Sequence, residues 1–330
     1  MSRRGWGLGL VLIALTALAW VLALAVGSTG WSGPDAWRAD PLAWQIAWEV
    51  RAPRSMGAWL AGALLALSGA LAQGVFRNPL ADPYLLGSSS GAALGVAACL
   101  AWLGVGPASA DAWVRLGVTG AAFLGSVGAV ALTLLLARGV QHTLRLLLAG
   151  VVVGVVLGAL SALTMLMVPD ITRAMQAFML GTTGFIGWPA VGTMAPVLAV
   201  CLALAFGGSR ALDAMSLGDA AARSLGVSVG WVRWVLVLVL SAATGTAVAQ
   251  AGLISFVGLV APHLVRSVVS VTHGALMVLS CLAGGLLLLL ADVLARWLIA
   301  PQELPVGVLT AVLGGSYLLW RMNRSAGALS

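Results

Sequence analysis

The sequence predicts an all-α, polytopic membrane protein with ten transmembrane helices, and three observations carry that prediction. First, of 330 residues 61% are hydrophobic and 8% charged. A water-soluble domain carries about 25% charged residues, so this chain lacks the polar side chains to cover a water-facing surface. Second, the apolar residues fall in long runs, and a spanning helix needs about 20 such residues. Third, glycines recur at helical spacing inside those runs and 14 tryptophans punctuate them, the pattern of helices packed in lipid with aromatic residues at the interfaces.

The runs lie at 8–27, 56–76, 86–105, 113–137, 144–168, 188–207, 231–250, 252–270, 275–299 and 304–320. The run 252–270 is the weakest, being interrupted by Pro262, His263 and Arg266, and nine spans is the fallback. The first run follows Arg3 and Arg4, and Ala23 and Ala25 offer a small-residue cleavage site. With nine further runs behind it, an uncleaved first helix is favoured over a signal peptide.

All 17 basic residues are arginine. With no lysine there is no Walker A loop, so ATP, if used, binds another chain. The arginines are scattered singly, unlike the concentrated basic face of a nucleic-acid binder. Ten alternating spans with the N-terminus inside put 11 arginines in the cytoplasm: 3, 4, 77, 138, 145, 210, 223, 233, 266, 321 and 324. They leave 6 outside: 38, 51, 54, 115, 173 and 296. The excess predicts both termini in the cytoplasm. The outer arginines are partly matched by Asp35, Asp40, Glu49, Asp111, Asp170 and Glu303.

Trp37, Trp44 and Trp48 share one helical face, and Pro34 suits a first-turn position. Residues 35–50 read as a short interfacial helix on the outer surface, or as a buried aromatic face of a folded loop. Gly150, Gly154 and Gly158, then Gly62, Ala66 and Gly69, then Gly284 and Gly285, mark close helix approaches. Cys99, Cys201 and Cys281 sit in apolar runs with no CxxC spacing and read as small buried hydrophobes.

Three stretches depart from generic membrane helix. In 77–91, the steps Asn78-Pro79 and Asp82-Pro83 force the preceding residues out of helix. This loop is expected to fold back into the protein core, with a plain cytoplasmic turn as the other reading; Ser88 to Ser90 open the next helix. In 212–227, Ser216 is a candidate N-cap, Asp219 and Arg223 are an i,i+4 pair, and Gly226 is placed to end the helix. The expected product is a cytoplasmic helix exposing Met215, Leu217, Ala221 and Leu225, either to dock a partner or to cap the bundle. In 252–266, Pro262 is expected to break a helix, with His263 and Arg266 within one turn of it. A lone histidine with no second ligand reads as a hydrogen-bonded structural group, so no metal site is assigned.

At these stretches the sequence resembles the FecCD family, permease subunits of ATP-binding-cassette importers for iron-siderophores, haem and cobalamin. The resemblance spans Arg51 to Arg324. It rests on Arg51-Ala52-Pro53-Arg54, Ser68-Gly69-Ala70 to Gln73, Asn78 and Pro79 to Asp82 and Pro83, and Leu86-Gly87 with Ser89-Ser90-Gly91-Ala92. Further on it rests on Leu217-Gly218-Asp219 with Ala222-Arg223-Ser224-Leu225-Gly226, and on Phe256-Val257-Gly258-Leu259 with Pro262-His263 and Arg266. Ala291-Asp292 with Arg296 and Glu303-Leu304-Pro305-Val306-Gly307 complete it.

The resemblance implies a non-enzymatic permease of the bacterial inner membrane. It implies a homodimer enclosing one pathway, two ATPase subunits that hold the ATP and Mg, no cofactor on this chain, and a periplasmic binding protein. Residues 214–227 would be the coupling helix, through Met215, Leu217, Gly218, Asp219, Ala222, Arg223, Leu225 and Gly226. Arg51, Arg54 and Arg296 would meet acidic residues of the binding protein, with pairing to Glu49 or Glu303 as the alternative. Runs 144–168 and 304–320 would line the pathway, through Thr164, Met165, Met167, Ser316 and Tyr317. Ser316 departs from the family's usual Gly-x-Pro-Phe, so the cargo is not copied from a relative. Cobalamin or a ferric siderophore is favoured over haem, because no His, Tyr or Met arrangement suggests haem ligation. The rival reading, an ion-coupled secondary transporter, lacks intramembrane carboxylates, Asp292 being within one turn of Arg296. An intramembrane enzyme lacks a paired nucleophile and base.

Overall fold

A computed structural model describes residues 3–27, 30–31, 33–103, 112–137 and 143–326. Asp111 and Arg138 lie outside the described residues. Every apolar run carries a helix. Among the described residues, 7 helices are long and apolar enough to cross a membrane. They are α1 (Arg3–Ala25), α4 (Ala52–Phe76, with the turns before it), α6 (Ala112–Leu136), α7 (Thr143–Met167), α9 (Trp188–Gly207), α12 (Val229–Ala251) and α14 (His273–Trp297).

The other three runs hold shorter apolar helices: α5 (Ser88–Leu103), α13 (Val257–Val268) and α15 (Val306–Ala326). At 12 residues, α13 is about 18 Å long, well short of a hydrocarbon core of about 30 Å. The reason is the non-helical segment 252–256 that precedes it. Its backbone is satisfied inside the protein, with Leu253 N–H donating to the Phe178 carbonyl and the Tyr84 hydroxyl donating to the Ile254 carbonyl at 3.0 Å. Non-helical backbone at membrane depth persists only when it is satisfied in this way.

Pro262 does not break its helix. It sits within α13, and its missing N–H leaves the Gly258 carbonyl without an intrahelical partner. That carbonyl lies against Gly69 of α4, so closely that a Cβ on Gly69 would fall inside it. The glycine at 69 is what allows α13 to lie directly on α4.

The same device fixes the centre of the bundle. A Cβ on Gly62 would overlap the Gly284 carbonyl, and one on Gly284 would overlap Ala66, so α4 and α14 touch backbone to backbone. Gly285 makes room for Trp59. Gly150 receives the Leu85 carbonyl, and a Cβ on Gly154 would lie 3.8 Å from the Gly87 Cα, so the α7 stripe packs on the loop that opens α5. In α4 nearly every residue is buried, whereas α1 and α7 present long apolar faces outward.

Residues 35–50 are not one helix. α2 (Pro34–Ala39) stops at Asp40, which the following Pro41 holds in extended conformation, and Asp40 then caps α3 (Pro41–Ile46) by accepting from Leu42 N–H. A π-helical turn, Ala47–Arg51, runs α3 on into α4. The tryptophans do share a face: Trp44 stacks on Trp48 at 6.2 Å, and Trp48 meets Trp188 of α9 at 5.3 Å. One short ladder, β1 (Val26–Gly27) with β2 (Gly30–Trp31), adds antiparallel pairing that hydropathy did not signal.

Candidate functional site: two polar clusters at opposite ends of α4

The three unusual stretches meet at the C-terminal end of α4. That helix ends on Arg77, in the left-handed conformation at φ 51°. The Arg77 guanidinium pairs with Asp219, which also accepts from Arg233 at 2.9 Å. Asp219 is the first residue of α11 (Asp219–Ser224), which follows α10 (Ser209–Ser216). Between them Gly218 has φ 111° and ψ 154°, a conformation essentially confined to glycine.

The expected single helix over 214–227 is therefore two short helices with a glycine corner. Ser216 is the last residue of α10 rather than an N-cap, its hydroxyl donating to the Asp213 carbonyl. Gly226, at φ 82°, does end the second helix: Val227 N–H bonds the Ala222 carbonyl and Gly226 N–H the Arg223 carbonyl, a Schellman closure.

The expected Asp219–Arg223 pair is replaced by Arg77 and Arg233, because a carboxylate between two guanidiniums from neighbouring helices gains more than one exposed i,i+4 contact supplies. Met215 and Ala222 are buried with Val229, contrary to the expected exposure of Met215. Ala221 is half-buried and Arg223 exposed. Leu217 and Leu225 stand out at 72% and 66% exposure.

Two further ties reach this end. Asp213 accepts from both the backbone N–H and the Nδ1 of His273, the first residue of α14. Gln73 donates to the Leu259 carbonyl at 3.2 Å and accepts from Arg266. The 77–91 loop folds inward as expected: Asn78 and Pro79 are exposed, Asp82 caps Tyr84 N–H, and Pro83 lies against Gly258. Desolvation holds the Asp82 carboxyl above the usual carboxylate range, and its hydrogen bond from the Tyr84 N–H opposes that shift. Ser88 turns its hydroxyl to the Pro83 carbonyl.

The other end of α4 holds the second cluster. Asp292 of α14 has no exposed surface. It accepts from Arg54 Nε at 3.0 Å and from the Thr183 hydroxyl, and Arg296 Nη2 lies 2.7 Å from its second oxygen. Arg54 also reaches Glu303 at 2.7 Å. Arg296 donates to the Ala23 and Val26 carbonyls, and Arg51 to those of Leu24 and Ala25.

The three arginines thus share one end of the bundle, but they turn inward instead of presenting their charges. A helix leaves its last carbonyls without partners, and two of these side chains satisfy that end of α1. Glu49 takes a hydrogen bond from Gln45. The hub of the cluster, Asp292, escaped assignment from sequence, although its i,i+4 spacing to Arg296 was the available signal; Thr183 carried none.

Thr164, Met165 and Met167 lie at the end of α7. Thr164 and Met165 are half-buried and Met167 is 74% exposed. Ser316 is exposed on α15, and Tyr317 lies edge-on to His263 with ring centroids 6.1 Å apart. Phe256, at φ 68°, fills the space left by Gly314. Among the described residues no group of His, Cys, Asp and Glu could hold a metal ion.

A profile of the FecCD transport family matches residues 15–324. The chain belongs to the FecCD transport family. It is 38% identical over 328 residues to the vitamin B12 import system permease protein BtuC of Salmonella typhimurium, covering 97% of this chain and 95% of that protein. It is 38% identical over 323 residues to the hemin transport system permease protein HmuU of Yersinia pestis, covering 96% and 95%.

A solved inward-facing metal-chelate type ABC transporter superposes with a TM-score of 0.84 at 29% identity, over 94% of this chain and 96% of that one. PsaBC from Streptococcus pneumoniae shares the fold at TM-score 0.56 and 18% identity, over 80% and 88%. This FecCD chain is therefore a multi-pass membrane permease of an ABC importer, the non-catalytic transmembrane component. A FecCD permease of this kind works with ATPase and binding-protein partners.

Proposed function

We propose that this permease carries a metal chelate, cobalamin or a ferric siderophore ahead of haem, from periplasm to cytoplasm across a bacterial inner membrane. Two copies enclose the pathway, each crossing ten times with both termini in the cytoplasm. α5, α13 and α15 make their crossings with the non-helical segments beside them. The named substrates of the relatives, vitamin B12 and hemin, support a bulky chelate as cargo. α7 and α15 supply the wall, through Thr164, Met165, Met167, Ser316 and Tyr317. The apolar face that α7 leaves uncovered in one chain, including Val152, Val155 and Leu163, supports a second copy beside it.

The observation that carries this reading is the α10–α11 corner. Leu217 and Leu225 project from a base clamped through Asp219 to α4 and α12. An apolar pair on a rigidly held polar corner is what a groove of an ATPase dimer would grip, with ATP and Mg on the ATPases. The corner is Met215 to Gly226: Met215 and Ala222 root it, Gly218 turns it, and Arg223 lies on its outer side.

The binding protein docks at the opposite end, around Arg51, Arg54 and Arg296. Three guanidiniums against the carboxylates of Asp292 and Glu303 leave a positive excess there, which steers an acidic partner. Because the arginines are buried, they set the shape and field of that surface more than they touch the partner.

The test is co-purification and ATP hydrolysis in vesicles with the partner ATPase and the binding protein loaded from a panel of cobalamin, haem and siderophores. Leu217→Asp with Leu225→Asp should abolish ATPase association. Intact association refutes the coupling role, and failure of every chelate to stimulate hydrolysis refutes the cargo.

A further inference from the structure

A cleft of about 910 Å³ opens between α1, the α9–α10 junction and the N-terminal half of α14. It is graded along its length. Its mouth carries Arg210 and Asp213, both on α10 and three residues apart, hence on one helical face. Its depth is apolar, lined by Leu10 and Ile13 of α1 and Leu282 of α14. From Gly274 to Leu282 of α14 the cleft runs about 12 Å along the helix.

The mouth carries both signs of charge. Arg210 is exposed and, among the described residues, has no hydrogen-bond or ion-pair partner. Asp213 gives one oxygen to His273 and keeps its side chain 38% exposed. Trp6, at the edge of the cleft, is 64% exposed two residues from Arg4, where an indole marks the polar–apolar boundary of a bilayer.

We propose that this cleft is a binding site for a phosphoethanolamine lipid. One acyl chain fills the apolar depth. The phosphate meets the Arg210 guanidinium, and the primary ammonium donates to the Asp213 carboxylate. A choline headgroup has no N–H to donate, and a glycerol headgroup brings no cation to Asp213, so both are discriminated against. Because α10 carries the mouth, the lipid sits directly behind the α10–α11 corner. The binding itself does not depend on what that corner docks.

The test uses the purified full chain, exchanged into nanodiscs of equal parts palmitoyl-oleoyl phosphatidylethanolamine, phosphatidylcholine and phosphatidylglycerol. Tightly retained lipid is then counted by native mass spectrometry. Phosphatidylethanolamine should be retained several-fold over the other two. Asp213→Asn should remove its advantage over phosphatidylcholine, and Arg210→Gln should lower retention of all three. Ile13→Trp, which blocks the depth without touching the mouth, should abolish retention while leaving the melting temperature in lipid-free detergent unchanged. Equal retention of the ethanolamine and choline lipids overturns the proposal. So does preference for phosphatidylglycerol, which would assign the mouth to an anion, and so does unchanged retention in Ile13→Trp.

Discussion

Arg54 and Asp292, 238 positions apart, meet through a 3.0 Å hydrogen bond between α4 and α14, where the carboxylate is wholly buried. The α4–α14 backbone contact at Gly62 and Gly284 brings them together. A second guanidinium, Arg296, flanks the same carboxylate at 2.7 Å. One buried anion thus holds two cations, and one of those cations closes the end of α1.

Removing that anion should be costly. Asp292→Ala leaves Arg54 its pair with Glu303 and takes from Arg296 its carboxylate, leaving it neutral hydrogen-bond partners, and breaking a buried pair costs about 3–5 kcal/mol. Thermal unfolding in detergent should show a large loss, with Asp292→Asn falling between mutant and wild type. A wild-type melting curve for Asp292→Ala would show that the cluster does not stabilise the fold.

The arginines can be separated from their field. Arg51→Glu with Arg54→Glu should weaken binding-protein docking at low salt and also lower the melting temperature, because both side chains are buried. Glu303→Gln touches only a one-third-exposed partner, so it should shift stability by less than about 1 kcal/mol. It should leave docking intact or stronger. Docking unchanged by the double reversal would remove the steering role.

Asp219 should matter beyond its own helix. Asp219→Ala leaves Arg233, 3% exposed, without that carboxylate and frees Arg77, so the α10–α11 corner loses its anchor to α4 and α12. The expected result is a chain that still folds but stimulates its ATPase at least several-fold less. Undiminished coupling would mean that burial of Met215 and Ala222 holds the corner by itself.

Backbone conformation sets a further expectation at the corner. Gly218→Ala places a side chain at φ 111°, a cost of about 1–3 kcal/mol. Nothing lies within 4 Å of a Cβ there, so the penalty is conformational and not steric. Hydrogen exchange should show local loosening of α11 with the membrane helices unaffected; global loosening would contradict this.

Close approach gives the opposite signature. A Cβ at Gly69 falls on the Gly258 carbonyl, a backbone atom that cannot move aside, so Gly69→Ala should prevent α13 from seating and yield little folded protein. Gly192→Ala on α9, where a Cβ meets open space, is the control and should gain helix propensity of up to about 1 kcal/mol. Equal yields from the two variants would deny the Gly69 contact its importance.

The chain's composition and order decide where its helices lie, where they break, and which of their faces are small enough to touch. Apolar runs long enough for the bilayer, glycines four apart, and X-Pro steps at Asn78 and Asp82 all act over a few residues, so a sequence displays them. The family motifs of 77–91, 212–227 and 252–266 were legible for the same reason, and the structure brings them to one end of α4.

What the tertiary structure decided is partnership. Asp219 leaves Arg223 for Arg77 and Arg233, Met215 turns inward, and Arg51 and Arg296 close the end of α1. Local spacing rules rank exposed pairs worth a few tenths of a kcal/mol. A charge or carbonyl withdrawn from water must find a partner worth far more. When that partner lies 14 to 273 residues away, only the packed fold determines which one it is.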